Sequence, residues 1–222
     1  MPKKTPSPLL AWLALSLPLL VVAAGSLAFF GSEEATAKFF EQWRIQNGHI
    51  TPWLKLYTDW GNAAFYLVYA GVLIAGLARG RRELTALALG YLAAQLLVSL
   101  LAVRVLKMSI GRPRPLVGGE YLHFTTQGSH HAMPSGHSTE LTLQTLPLAL
   151  RSGTILWPLL LGLALGLMAF TRIALGWHNP TDVLAGWALG TLGGLLAQYL
   201  AGRIAWRLQG GRRLRFESPG AQ

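Results

Sequence analysis

Long runs of apolar residues constrain the fold of this chain more than any other feature. Hydrophobic residues make up 52% of the 222 residues and charged residues only 13%, and the apolar residues form blocks instead of amphipathic stripes. A helix needs roughly 20 such residues to cross the hydrocarbon core of a bilayer. The composition therefore predicts an integral membrane protein, organised as a single domain over residues 1–222 without internal repeats.

Six runs approach that length and predict an all-α fold, a six-transmembrane-helix bundle. They cover residues 8–30, 62–78, 84–106, 137–150, 154–175 and 182–201. The fourth run is short and contains Glu140 and Gln144, so a half-buried helix is the alternative there. The first run is longer than the apolar core of a typical signal peptide and is interpreted as a retained anchor, with cleavage after the Ala23-Ala24 region as the alternative.

Two segments outside these runs are polar. Residues 31–61 combine Glu33, Glu34 and Glu41 with aromatic pairs and predict an extracytoplasmic interfacial helix, with a simple tether as the alternative. Residues 202–222 predict a basic cytoplasmic tail.

The positive residues predict the orientation of the bundle. Six crossings place both termini on one side, and most basic residues of the short loops and ends fall on that side. They are Lys3, Lys4, Arg79, Arg81, Arg82, Arg151, Arg203, Arg207, Arg212, Arg213 and Arg215. The termini are therefore predicted to be cytoplasmic. The net charge of +10 does not indicate nucleic-acid binding, because the basic residues flank apolar runs instead of forming one soluble face.

Three short polar motifs separate the later runs: KMSIGRPRP from Lys107, MPSGHS from Met133 and TRIALGWHNPTD from Thr171. Run three ends at the first motif, run four starts at the second, and the third joins runs five and six. Alternation of the helices therefore gathers all three motifs on one membrane face, at the extracytoplasmic ends of helices 3 to 6. Charge near lipid is costly, so such residues are candidates for function.

The motifs carry an excess of positive charge that predicts an anion-binding site. The only obvious acid in the three motifs is Asp182. The basic residues there are Lys107, Arg112, Arg114 and Arg172. Guanidinium and ammonium groups suit a phosphate monoester or a diphosphate. Nonspecific contact with anionic headgroups is the alternative for any one of these cations.

The second motif resembles an anion-binding helix start. Gly136 permits close backbone contact, Ser135 adds a hydroxyl donor, and the first free amides of the next helix point toward the same place. An ordinary helix cap formed by Ser135 or Ser138 is the alternative.

The third motif places a carboxylate near an imidazole. With Asn179 as cap and Pro180 in the first turn of a helix, Asp182 lies close to His178 and could fix its tautomer, leaving the other ring nitrogen free to attack phosphorus. Asp182 could instead only cap the helix. His137 is available to give a proton to the departing alkoxide.

Other polar residues lead to weaker expectations. His130 and His131 are adjacent, so their side chains diverge, and no carboxylate cluster is near; we therefore expect no metal site and no cofactor. The chain has no cysteine, which excludes thiolate catalysis. Arg104 is expected to pair with Glu140 as an internal strut, with a role in substrate contact as the alternative. No sequence pattern specifies an oligomeric state.

Together the motifs resemble the type 2 phosphatidic acid phosphatase superfamily. The resemblance rests on Lys107, Arg114 and Pro115, on Pro134 to His137, and on Arg172, His178 and Asp182, each at the spacing of the family. It covers the chain from the third run to the sixth. One departure is Thr171, where the family usually has serine, and the hydroxyl is retained.

The resemblance implies metal-independent phosphoryl transfer. His178 would be the nucleophile that forms a phosphohistidine, Asp182 would orient it, and His137 would protonate the leaving group. The implied phosphate-binding residues are Lys107, Arg114, Ser135, Gly136 and Arg172.

The resemblance also implies a lipid phosphate as substrate and a bacterial inner membrane as location. Similar enzymes act on undecaprenyl diphosphate, phosphatidylglycerophosphate, phosphatidate or lipid A phosphates, and the sequence does not choose among them. A chain without a soluble domain is expected to take its substrate from the bilayer. The alternatives are a lipid-to-lipid phosphotransferase and a non-catalytic protein that binds anionic lipids, and a scaffold role for the basic tail is a third.

Overall fold

The computed structural model describes residues 5–210, and every element in that part of the chain is helical. The helices are α1 (Pro8–Phe30), α2 (Glu33–Gln46), α3 (Thr51–Ala78), α4 (Arg82–Ala94), α5 (Val103–Ile110), α6 (Gly136–Ala149), α7 (Leu156–Ala174) and α8 (Pro180–Leu208). A π-helical segment, Gln95–Ala102, joins α4 to α5 without a break. The all-α prediction is confirmed for the described residues.

Five helical spans are long and apolar enough to cross a bilayer. They are Pro8–Phe30, Thr51–Ala78, Arg82–Ile110, Leu156–Ala174 and Pro180–Leu208. These long apolar helices indicate a multi-pass membrane protein. The predicted fourth span forms α6, whose 14 residues extend only about 21 Å. A hydrocarbon core is about 30 Å thick, so the six-span count stays a prediction.

The segment predicted as interfacial, residues 31–61, forms parts of two helices. Within residues 31–61, only Glu33–Gln46 forms the separate helix α2. From Thr51 onward the chain already belongs to α3, which starts 11 residues before the predicted boundary at 62. Ser32 caps α2 by accepting a hydrogen bond from the amide of Ala35 (3.1 Å).

The basic ends are described only in part. Residues 202–208 continue α8, so the predicted tail is helical at its start. Lys3 and Lys4, together with Arg212, Arg213 and Arg215, lie outside the described residues. The orientation with cytoplasmic termini therefore stays a prediction.

Helix α6 lies inside the bundle and packs along α8. Two glycines of α8 face its backbone: a Cβ on Gly186 would lie 2.5 Å from the carbonyl oxygen of Ser135, and one on Gly190 would lie 2.4 Å from that of Thr139. Ser135 also donates its amide to the carbonyl of Asp182 (2.9 Å). Small residues let two backbones approach closely in the membrane, and here the approach places the start of α6 against the start of α8.

This close packing predicts a position-specific effect of alanine in α8. Gly190→Ala should destabilise the protein by about 1–3 kcal/mol, because its methyl group has no room beside Thr139. Gly202→Ala is the matched control, since a Cβ at Gly202 meets no atom within 4 Å. Thermal unfolding in detergent measures both variants. Equal unfolding midpoints for the two would show that the seam between α6 and α8 is not tightly packed.

Candidate active site

Hydrogen bonds between loops bring the three motifs together. The ammonium group of Lys107 donates to the carbonyl of His131 (2.8 Å), just before the second motif. The Nδ1 atom of His178 lies 2.7 Å from the carbonyl oxygen of Ala132, in the same stretch. The ends of α5 and α7 and the starts of α6 and α8 therefore meet at one end of the bundle.

The hydrogen bond of His178 defines the state of its imidazole. A carbonyl oxygen only accepts, so Nδ1 carries the hydrogen and Nε2 keeps its lone pair. The residue is 2% exposed. Burial, with the nearby positive charges of Arg172, Lys107 and Arg114, lowers the pKa of His178 well below its usual range. At neutral pH the ring is therefore an uncharged potential nucleophile.

Of the two roles that the sequence left open for Asp182, a bond to His178 is not formed. Its Oδ2 atom lies 3.8 Å from Nδ1 of His178, beyond hydrogen-bond distance. That oxygen accepts the amide of Asn179 (2.7 Å), and Oδ1 accepts a guanidinium N–H of Arg112 (2.7 Å). Asn179 and Asp182 form a capping box at the start of α8. The helix cap is therefore the role that the hydrogen bonds of Asp182 show.

Arg172 is buried and has hydrogen-bonding capacity left. It is 4% exposed, its guanidinium lies 4.3 Å above the Trp177 ring, and one terminal nitrogen donates to the hydroxyl of Thr58 (3.1 Å). Its Nε atom is buried and has no partner among the described residues. A buried donor without an acceptor is costly, so this guanidinium is suited to an incoming anion.

Arg114 and Lys107 are each held by a single main-chain carbonyl. The Nε atom of Arg114 donates to Gly128 (3.1 Å), and Lys107 donates to His131 as described above. Each side chain has further N–H donors. With Arg172 they form a group of three cations, and all three act electrostatically on His178.

The first turn of α6 lies against the side chain of Lys107. A Cβ on Gly136 would meet nothing closer than a methyl group of Val103 at 3.7 Å and the Cε atom of Lys107 at 3.9 Å. Ser135 is fully buried, and its hydroxyl accepts a hydrogen bond from Ser138 (3.0 Å) without capping the helix. The positive end of α6 therefore lies next to Lys107, where both favour an anion.

His137 belongs to the same group of charges. It follows Gly136 in the first turn of α6, and its carbonyl accepts a hydrogen bond from the side chain of Asn62 (3.3 Å). Its imidazole interacts electrostatically with Arg172, His178, Lys107 and Arg114. The structure thus brings two imidazoles into the surroundings of three cations.

Arg112 is paired with carboxylates, although the sequence suggested that it helps to bind an anion. Its guanidinium binds Asp182, Glu33 and the hydroxyl of Thr181, and its side chain is only 11% exposed. These carboxylates balance its charge. Glu33 lies 79 residues away along the chain, so no local spacing could have indicated this pairing.

The predicted strut between Arg104 and Glu140 is wrong. Glu140 accepts hydrogen bonds from the side chains of Asn62 (2.7 Å), Gln95 (2.7 Å) and Tyr66, whereas Arg104 is exposed. Neutral donors from α3 and the π-helical segment therefore satisfy this carboxylate within the bundle.

The adjacent histidines bind separate partners. His130 contacts the hydroxyl of Ser129 (3.1 Å) and His131 the carbonyl of Thr125 (2.9 Å). Within residues 5–210, no group of three or more His, Asp or Glu side chains is placed to hold a metal ion.

A cavity of about 490 Å³ opens next to the motifs. It lies between the first turns of α2 and the loop after α5, and Arg114, Tyr121 and Asn179 line it. A narrow crevice lined by Thr36 and His178 adjoins the same side of α2. A ligand held by Arg114 would therefore have room for a larger attached group.

A protein-family model matches the part of the chain that holds the three motifs. The family model of the PAP2 superfamily matches residues 83–206, which is more than half of the chain. The match includes all three motifs and leaves out α1, α2 and α3. No solved structure matches the chain.

Proposed function

The chain belongs to the PAP2 superfamily, and from that premise we propose that it is a metal-independent phosphatase that hydrolyses a lipid phosphate through a phosphohistidine. Members of this superfamily are generally phosphatases. The observation that carries the finer proposal is the buried, uncharged imidazole of His178, whose Nε2 lone pair is free among three cations.

The first proposed step transfers the phosphoryl group to His178. Lys107, Arg114 and Arg172, with Ser135 and Gly136 at the start of α6, hold the phosphoryl oxygens. Nε2 of His178 forms a bond to phosphorus as the bond from phosphorus to the lipid oxygen breaks. That oxygen takes the electron pair and receives a proton from His137.

The second proposed step releases phosphate. Neutral His137 accepts a proton from water, the water oxygen bonds to phosphorus, and the bond from phosphorus to Nε2 breaks. Inorganic phosphate leaves and His178 returns to its starting state. A phosphate monoester carries about −1.5 to −2 charges, which the three cations can balance, so the steps do not require a metal ion.

The proposed substrate is a phosphate monoester or a diphosphate of a membrane lipid. Five long apolar helices support a substrate that is delivered from the bilayer, and the cavity beside Arg114 gives space for the rest of a headgroup. We propose further that the site lies on the extracytoplasmic face of a bacterial inner membrane, with cytoplasmic termini. The loop charges described above support that orientation.

Phosphate release from a panel of purified lipid phosphates tests the proposed function. The panel contains phosphatidate, phosphatidylglycerophosphate, a polyprenyl diphosphate and a lipid A phosphate, each in detergent with the purified protein. We expect release from at least one of them, at a rate that excess chelator leaves unchanged. A magnesium-dependent phosphatase assayed in parallel should lose its activity and so confirms that the chelator works.

Two other outcomes would contradict the proposal. If an added acceptor lipid becomes phosphorylated and little phosphate is released, the protein is a phosphotransferase of the same family. If the lipids bind tightly but none is turned over, the protein binds anionic lipids without chemistry.

A further inference from the structure

Helix α2 contacts both helix ends that flank the loop with His178. This loop is short, since α7 ends at Ala174 and α8 begins at Pro180. One side chain from each end of α2 reaches across: Glu33 to the start of α8 and Arg44 to the end of α7. Helix α2 lies outside residues 83–206, so the family match assigns it no role.

Glu33 holds the start of α8 through a closed network. One carboxylate oxygen accepts hydrogen bonds from the amide (3.3 Å) and the hydroxyl of Thr181, and the other binds Arg112. Arg112 in turn donates to Thr181 (2.6 Å) and to Asp182 (2.7 Å). The carboxylate lies at the positive end of α8, where negative charge is favourable.

Arg44 holds the end of α7 in a complementary way. Its guanidinium donates to the carbonyl of Ala174 (2.7 Å), the last residue of α7, where positive charge is favourable. Gly176 lies beside this contact: its φ is +69°, which favours glycine, and a Cβ there would lie 3.1 Å from the guanidinium nitrogens of Arg44. Charges of opposite sign on one helix therefore hold the two ends of the loop.

Apolar contacts attach α2 independently of these charges. The rings of Phe40 and Trp43 pack edge-on against Phe170 of α7, at 5.9 and 6.3 Å between centroids. Neither Glu33 nor Arg44 takes part in these contacts. The apolar contacts hold α2 against α7, whereas the polar contacts of Glu33 and Arg44 reach the two ends of the loop that carries His178.

We propose that α2 is a positioning element of the active site, in which Glu33 and Arg44 fix the loop that carries His178. In the proposed reaction neither residue contacts the phosphoryl group. Glu33 acts through Thr181 and Arg112, and Arg44 acts through the main chain at Ala174. The inference rests on the proposed function, because it assigns these residues a role in the transfer step.

Kinetics of Glu33→Gln and Arg44→Gln test the inference on the full-length protein in detergent. We expect each variant to lower kcat by about 10- to 100-fold, the cost of a slightly misplaced nucleophile, with KM changed by less than about twofold. A rapid-quench experiment should show the same loss in the rate of phosphoenzyme formation. Arg44→Lys should recover part of the rate, because it keeps the charge at the end of α7.

Glu41→Gln is the matched control. Glu41 is exposed on the same helix, and the substitution removes the same charge without touching either loop end. Thermal unfolding of each variant separates positioning from folding. If Glu33→Gln and Arg44→Gln have the kinetics of Glu41→Gln, or if their losses only follow a loss of folded protein, the positioning role is overturned.

The same assay separates this failure from failure of the proposed function. A wild-type protein that releases no phosphate from any lipid in the panel overturns the phosphatase itself. An active wild-type protein with unaffected Glu33 and Arg44 variants overturns only the role of α2.

Discussion

Replacing His178 by alanine should abolish phosphate release, with a loss of about 10⁴-fold or more. The proposed reaction needs a nitrogen lone pair among the cations, and no cysteine in the chain could replace it. The measurement is phosphate release from the best lipid of the panel, normalised to folded protein. His49→Ala is the control, because His49 is an exposed histidine in the turn between α2 and α3.

The His178→Ala result has a clear contrary outcome. If the variant folds and keeps wild-type activity, His178 is not the nucleophile. If His49→Ala loses as much activity as His178→Ala, the effect does not report on the proposed site.

Replacing His137 by glutamine should slow hydrolysis of lipid phosphates by about 10²- to 10⁴-fold, the usual contribution of a general acid or base. The first step should depend on the leaving group. A lipid alkoxide needs a proton as it departs, whereas the nitrophenolate of a nitrophenyl phosphate is stable without one. We therefore expect the variant to transfer phosphate from the aryl ester at close to the wild-type rate.

In the His137→Gln variant the second step should be slow, so the phosphohistidine should accumulate. Without His137 to accept a proton from water, the phosphohistidine persists, so nitrophenol should appear as a burst of about one equivalent per protein molecule. Equal losses on the two substrates, with no burst, would assign His137 a structural role instead.

The apolar runs predict the bounds of a helix correctly where the whole helix is apolar. Residues 8–30 were predicted as a span, and α1 has the same limits. Helix α3 starts before its predicted span because its first turns contain Lys55 and Asp59, which interrupt the apolar run without ending the helix. Helix α6 has few apolar residues for a different reason: protein surrounds it, and Thr139, Thr142 and Thr145 return hydrogen bonds to its own carbonyls.

The motifs predict which residues gather but not how they pair. Spacing alone left two roles open for Asp182, and the structure shows that it caps α8 and binds Arg112. The partner of His178 is a main-chain carbonyl, at Ala132, and main-chain acceptors have no sequence signature. Glu33 and Arg44 were likewise out of reach, because their partners are distant in sequence and are fixed only by the folded chain.

The central claim is that phosphate passes through a covalent bond to His178. Protein incubated briefly with a lipid carrying radiolabelled phosphate, quenched in base and digested, tests it most directly. We predict an acid-labile, base-stable label on the peptide that contains His178, absent from the His178→Ala variant. Active protein that acquires no label on rapid quenching, or label on a residue other than His178, would contradict the account.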